Sequence, residues 1–312
     1  MKLILFKSDP ILTAYSTLGN ITSVLNNRVD LEPWLYNNFV QLSAGNLFRF
    51  AYQKLMYHDS PFINTFSVPM YLINDIITFI ESSIQNNMYL FFLVDRYYLS
   101  GYTEYCTKNQ IHEIFVYGYD SEKQLLYTSD NSNSFKYANK LISYSNMFEA
   151  YSAVESNFMN LSQICTCNPP LIDIDKIKSS VSDYINSKIN YDDIRYSNKN
   201  AYGISVYTKY IDILKLSGSL LNDFIPLHLF WEHKILMHKR IEYLINHGYL
   251  SCQNSLLDEY STIAQKFLFL RNLLIRYSIR RDEGEKIQII TELPYYVNEE
   301  TQLLREIFKP QA

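Results

Sequence analysis

The pattern of apolar and polar positions changes period several times in the first half of the chain. Lys2 to Phe6 reads as a short strand, stopped by Asp9-Pro10. From Ala14 to Leu25 the residues Tyr15, Leu18, Ile21 and Leu25 recur at helical spacing, with Thr13 as the N-cap. Pro33 is expected to break the segment that follows. Tyr71 to Gln85 carries a second amphipathic helix, and Met88 to Val94 a buried strand. The clearest hairpin comes next: Ile111 to Tyr117 and Leu125 to Ser129 flank the turn-rich residues 118–124. Both faces of its strands carry apolar residues, as a sheet covered on both sides requires.

Beyond Cys165-Thr-Cys167-Asn-Pro-Pro170 the strand signals nearly vanish. Segments 174–189, 202–216, 224–247, 255–281 and 297–308 all show helical spacing. The reading is an α+β domain over 1–168 and a helical region over 169–312 packed on it, with Pro169-Pro170 as the boundary.

Composition narrows the function. Lys and Arg number 28 against 32 Asp and Glu, a net charge of −4, which disfavours general nucleic-acid binding. The longest apolar run, Met88 to Val94, is far short of the roughly 20 residues a membrane helix needs. The apolar start Leu3 to Phe6 is too short for a secretory core. Four cysteines make no disulfide framework, so a cytoplasmic setting is expected. The 28 Tyr and 18 Phe against two Trp fit an AT-rich coding sequence, with aromatic binding walls as the alternative.

Two residues in the hairpin suggest chemistry. A turn centred on Ser121 sets His112 directly opposite Asp130 on the same face, with Cβ atoms roughly 4.5–5.5 Å apart. A carboxylate beside an imidazole fixes its tautomer and stabilises the imidazolium, the base-and-orienter half of a catalytic triad. A structural His–Asp pair would look the same. A register shift of one residue would separate the two onto opposite faces. The nucleophile such a pair needs belongs at a helix N-terminus, where backbone N–H groups lower a thiol pKa and hold an oxyanion. The first helix offers that place, and the residue there is Ala14.

Asp9-Pro-Ile-Leu-Thr-Ala-Tyr-Ser-Thr-Leu-Gly-Asn-Ile-Thr-Ser-Val-Leu25 resembles the opening of the papain-like superfamily, in the branch that contains the butirosin acyltransferase N-terminal domain. Phe91 to Leu99 resembles that family's strand running into a loop. Ile111-His-Glu-Ile-Phe-Val-Tyr-Gly-Tyr-Asp120 resembles its histidine strand, and Tyr127-Thr-Ser-Asp130 its aspartate strand. The order Cys, His, Asp is also that of bacteriocin-leader peptidases, a related branch. The resemblance covers residues 1–160, and Ala201 to Ser205 is loosely similar to the C-terminal region of the same proteins.

The resemblance implies a papain-like (cysteine peptidase-like) domain with an antiparallel sheet and an N-terminal nucleophile helix. It implies acyl transfer: a thiolate attacks a thioester on a carrier protein and passes the acyl or peptidyl group to an amine. Amide synthases of this type work in nonribosomal natural-product biosynthesis. No cofactor or metal is implied beyond the phosphopantetheine of an acidic acyl- or peptidyl-carrier partner, with a small amine as acceptor and no nucleic acid or membrane. The family's cysteine falls on Ala14, His112 becomes the general base and acid, and Asp130 its orienter. Tyr15 and Trp34 are candidate substrate contacts. Related peptidases carry a Gln about six residues upstream of the cysteine as an oxyanion donor, and that place holds Ser8. Ala14 leaves three readings open: a Cys-to-Ala form, a natural pseudoenzyme that binds without catalysis, or a nucleophile elsewhere. A cysteine peptidase of the same fold is the alternative activity.

Other candidates are weaker. Cys106 lies too close in sequence to His112, Cys165 and Cys167 lack a second ligand pair, and Cys252 reads as packing. His228, His233 and His238, five apart, cannot share a helix face. Arg271, Arg276, Arg280 and Arg281 read either as a carrier-docking patch or as cations favoured near a helix C-terminus.

Overall fold

A computed structural model of the chain describes residues 1–28, 30–51, 60–131, 137–155, 158–168, 170–188, 200–216, 224–251 and 253–309. It is an α+β protein with an antiparallel sheet, helices, and a helical C-terminal region. In chain order the elements are β1 (Lys2–Ile4), α1 (Ser16–Leu25), α2 (Leu31–Asn38), β2 (Leu42–Ala44), β3 (Phe48–Phe50), β4 (Ile63–Pro69), α3 (Ile76–Gln85) and β5 (Met88–Asp95). There follow β6 (Ile111–Asp120), β7 (Leu125–Asn131), β8 (Tyr137–Ser143), α4 (Tyr144–Ser152) and β9 (Phe158–Ile164). The rest is α5 (Ile174–Ile185), β10 (Ala201–Tyr202), α6 (Ser205–Leu216), α7 (Phe224–Asn246), α8 (Asn254–Arg280) and α9 (Glu283–Ile307). None of the described helices is long and apolar enough to cross a membrane.

The chain forms two compact units, Met1–Val29 with Leu55–Pro169, and Asp30–Lys54 with Pro170–Ala312. Pro169 closes the first unit, but residues 30–54 belong to the second, so neither is one continuous stretch.

The first unit is built on a seven-stranded antiparallel sheet in the order β4-β9-β5-β6-β7-β8, with β1 also paired to β6. One face packs on α3 and α4 through Ile76, Ile80, Ile84, Leu90, Ile114, Val116, Met147 and Ala150. On the other face Val24 of α1 meets Tyr89, Phe91, Phe115 and Tyr117. Alternate residues of β5 and β6 therefore feed two cores, which is why these strands read as continuous apolar runs. The helix expected from Tyr71 starts later, at Ile76, where Asp75 accepts from the Ile77 and Thr78 N–H groups; Met70–Leu72 forms a separate 3₁₀ turn.

The second unit holds α2, the small sheet β10-β2-β3 and the helices α5 to α9. Pro33 does not break a segment. It sits in the first turn of α2, where a missing N–H removes no intrahelical bond. The last helix runs from Glu283, well before the expected 297, and contains Pro294. Its Glu300 is fully buried against Lys234 of α7 at 2.7 Å and accepts from Tyr184 and Tyr260. Lys234 also donates to Tyr184 and Tyr207, so hydrogen bonds offset the cost of burying both charges.

Candidate functional site

The sequence places His112 near the start of β6 and Asp130 near the end of β7, and the structure brings them together by a different register from the one expected. Phe115 pairs with Ser129 and Val116 with Thr128; a bulge at Tyr117 then moves Gly118 opposite Tyr127. The expected turn would have set Phe115 opposite Tyr127, two positions away. Because side chains alternate with period two, a shift of two keeps both residues on one face. They meet diagonally, with His112 Nδ1 3.4 Å from Asp130 Oδ2.

A third group shares the pair. Arg96 begins a 3₁₀ turn (Arg96–Tyr98) capped by Asp95, whose carboxylate accepts from Tyr97 N, Gln110 N and Asn109 Nδ2. That cap folds the loop after β5 so that Arg96 points back at β7. Its guanidinium forms an ion pair with Asp130, both side chains being almost fully buried. Arg96 Nη2 also lies 2.8 Å from His112 Nδ1 and donates to the Asn131 carbonyl at 3.0 Å. Tyr102 donates to Asp130 Oδ2 at 3.3 Å, and its ring lies under the guanidinium. Burial, then the Asp130 charge, pushes the Tyr102 hydroxyl well above its ordinary range.

His112 is only partly covered. Burial works against its imidazolium, and Arg96 does too. The hydrogen bond and charge of Asp130 outweigh them, so its pKa is raised. Nδ1 also faces the Glu113 carbonyl at 3.0 Å. As a donor, Nδ1 serves Glu113 O and Asp130; as an acceptor, it serves Arg96. The ring therefore switches its Nδ1 partner with its protonation state.

Ala14 is 3% exposed. It lies before α1 rather than in its first turn: Tyr15 is the half-buried N-cap in extended conformation, and Ser16 is the first helical residue. Thr13 does not serve as the N-cap, and Tyr15 makes no side-chain cap. The approach to the helix is fixed from inside it. Thr22 Oγ1 accepts from Ile11 N at 3.2 Å and Leu12 N at 3.3 Å, and donates to Leu18 O at 2.7 Å. Asn131 then clasps the strand end to this segment, its Nδ2 reaching Thr13 O at 3.1 Å and Ala14 O at 3.4 Å. Its own N–H donates to Asp130 Oδ1 at 2.7 Å. Asn131 thus links Ala14 to the Asp130–His112 pair, and sequence reasoning missed both Asn131 and Arg96.

The other candidates lie elsewhere. Ser8 donates its hydroxyl to Ser23 O at 3.1 Å, so it is tied to the far half of α1. Trp34 belongs to the second unit and is buried there, edge-on to Phe39 at 5.4 Å. His233 is buried with Nε2 2.8 Å from Val40 O, and His228 pairs with Glu232. Arg271 donates to His228 and Arg276 pairs with Glu285. Cys106 is exposed, Cys165 and Cys167 half-buried, and Cys252 lies outside the described residues. Among the described residues no group of His, Cys, Asp and Glu could hold a metal ion. No protein-family model and no curated protein matches the chain.

Proposed function

We propose that the first unit is a papain-like domain of the acyltransferase and amide-synthase type, with Ala14 in the place of the nucleophilic cysteine. The observation that carries this reading is the Asn131 clasp, which joins the Ala14 carbonyl to the carboxylate–imidazole pair across three chain segments. In this reading the His112 ring, which leaves β6 on the face away from α1, swings at the strand end to take a proton from the thiol of the Cys form and returns it to the leaving group. Asp130 orients the ring and stabilises the imidazolium. The acyl group comes from a carrier-protein thioester and passes to a small amine. Binding of the thioester without turnover is a second reading, favoured by Arg96, whose contact with Nδ1 belongs to an imidazole that has its proton on Nε2. Introducing the thiol by Ala14→Cys and measuring acylation from a thioester tests the proposal.

A further inference from the structure

Ser16 opens α1 two residues after Ala14 and is buried. Its Oγ lies 3.4 Å from Glu113 Oε2. Glu113 is the residue next to His112 on β6, and its side chain leaves the strand on the opposite face, toward α1. Among the described residues, Ser16 is the hydrogen-bond donor that its carboxylate has. Glu113 is half-buried, and a carboxylate partly withdrawn from water and met by a single hydroxyl is less well solvated than an exposed one. Burial first, and then the Asp130 charge, raises the Glu113 pKa against the opposing effects of His112 and Ser16. A buried hydroxyl 3.4 Å from a half-buried carboxylate places a nucleophile beside a base.

We infer that Ser16 is an acyl-accepting nucleophile of this site and Glu113 its general base, acting on activated acyl esters and thioesters. The inference rests on the acyl-transfer reading above and supplies the nucleophile that Ala14 lacks. Glu113 takes the Ser16 hydroxyl proton as Oγ bonds to the acyl carbon. The oxyanion forms at the start of α1, the positive end of the helix dipole. Collapse breaks the C–S bond, and the departing thiolate takes the proton from Glu113 and leaves as a thiol. An O-acyl serine remains. An amine then attacks it, its proton returns through Glu113 to Oγ, and the amide is released.

A structural role is the competing account, because a carboxylate near the start of a helix is favourable in itself. The two differ in covalent chemistry. The unaltered chain is incubated with p-nitrophenyl acetate and with the acetyl thioester of N-acetylcysteamine, and adducts are located by peptide mass mapping. The expected result is one acetyl group, on Ser16, absent from Ser16→Ala and formed at least tenfold more slowly in Glu113→Gln. No adduct, an adduct confined to other residues such as the exposed Cys106, or Ser16 labelling indifferent to Glu113→Gln overturns the inference. Should Glu113→Gln fail to fold, the pH dependence of labelling in the unaltered chain decides. An acidic limb with a midpoint above the ordinary Glu value of about 4.3 supports the dyad, and a rate flat across that range overturns it. Acylation of the thiol in Ala14→Cys maps to a different residue, so the two readings fail separately.

Discussion

Arg96 Nη2 lies 2.8 Å from His112 Nδ1 while the same guanidinium forms an ion pair with the buried Asp130. One cation thus compensates the carboxylate and competes with the imidazole for it. Removing the cation leaves Asp130 charged and almost fully buried, and breaking such a pair from one side costs about 3–5 kcal/mol. Arg96→Met is therefore expected to lower stability by that order. Arg96→Met combined with Asp130→Asn is expected to recover much of the loss, since the uncompensated charge goes with its partner. Urea unfolding of the two variants checks this; equal losses in both would show that the pair acts through packing alone.

The charge balance around His112 has a sign that titration reads directly. Asp130 raises its pKa, while burial and Arg96 lower it. In the folded chain the ring is expected to titrate above its ordinary value of about 6.5. Asp130→Asn is expected to lower the midpoint, because burial and Arg96 are then opposed only by the hydrogen bond to the Glu113 carbonyl. The raised pKa also means that the contribution of this pair to stability is complete below about pH 6.5 and is lost as pH rises through the folded midpoint. Proton NMR of the imidazole, with His112→Gln to assign the signal, gives both midpoints.

Gly19 of α1 lies under the ring of Tyr137, where an added Cβ would come within 2.5 Å of two ring carbons. The ring also donates its hydroxyl to Asn20 Oδ1 at 2.7 Å, so it fixes α1 over β8. Gly19→Ala improves helix propensity by about 1 kcal/mol in an unconstrained helix. Here the substitution is expected to destabilise, because the ring must move and the Asn20 bond goes with it. Thermal unfolding measures the net sign; a rise in Tm would contradict the packing described.

The sequence reading reached the His112–Asp130 contact because strand alternation tolerates an error of two residues. The turn falls between Glu122 and Lys123, three off the expected pairing sum, and the bulge at Tyr117, which no residue type announces, takes one back, so the net shift of two keeps the face. Arg96 and Asn131 were invisible for a different reason. Their roles depend on where a 3₁₀ turn and a strand end bring the chain back, and an isolated Arg after a strand carries no period. Helix entry was misplaced by two residues because Thr13 is a good capping type, while the chain is held by Thr22 from within the helix. Pro33 reads as a breaker in any window, and only its position in the first turn of α2 makes it harmless. The membership of residues 30–54 in the second unit was also hidden, since β2 pairs with β10 across more than 150 residues of chain. Helices α5, α6 and α8 were legible because their buried positions recur at helical spacing, whereas the first half of α9 was hidden by Pro294 and its many polar residues.

The most direct measurement is acylation of Ala14→Cys by an acetyl or longer acyl thioester, read by intact mass and peptide mapping, with His112→Ala in the same background as control. One acyl group is expected on the introduced thiol, its formation slowed by about 10²-fold or more without His112, with release as an amide when a small amine is added. Preferential cleavage of peptides by the same variant would assign the site to a peptidase. No acylation by any thioester, or acylation equally fast without His112, would contradict Ala14 as the nucleophile position.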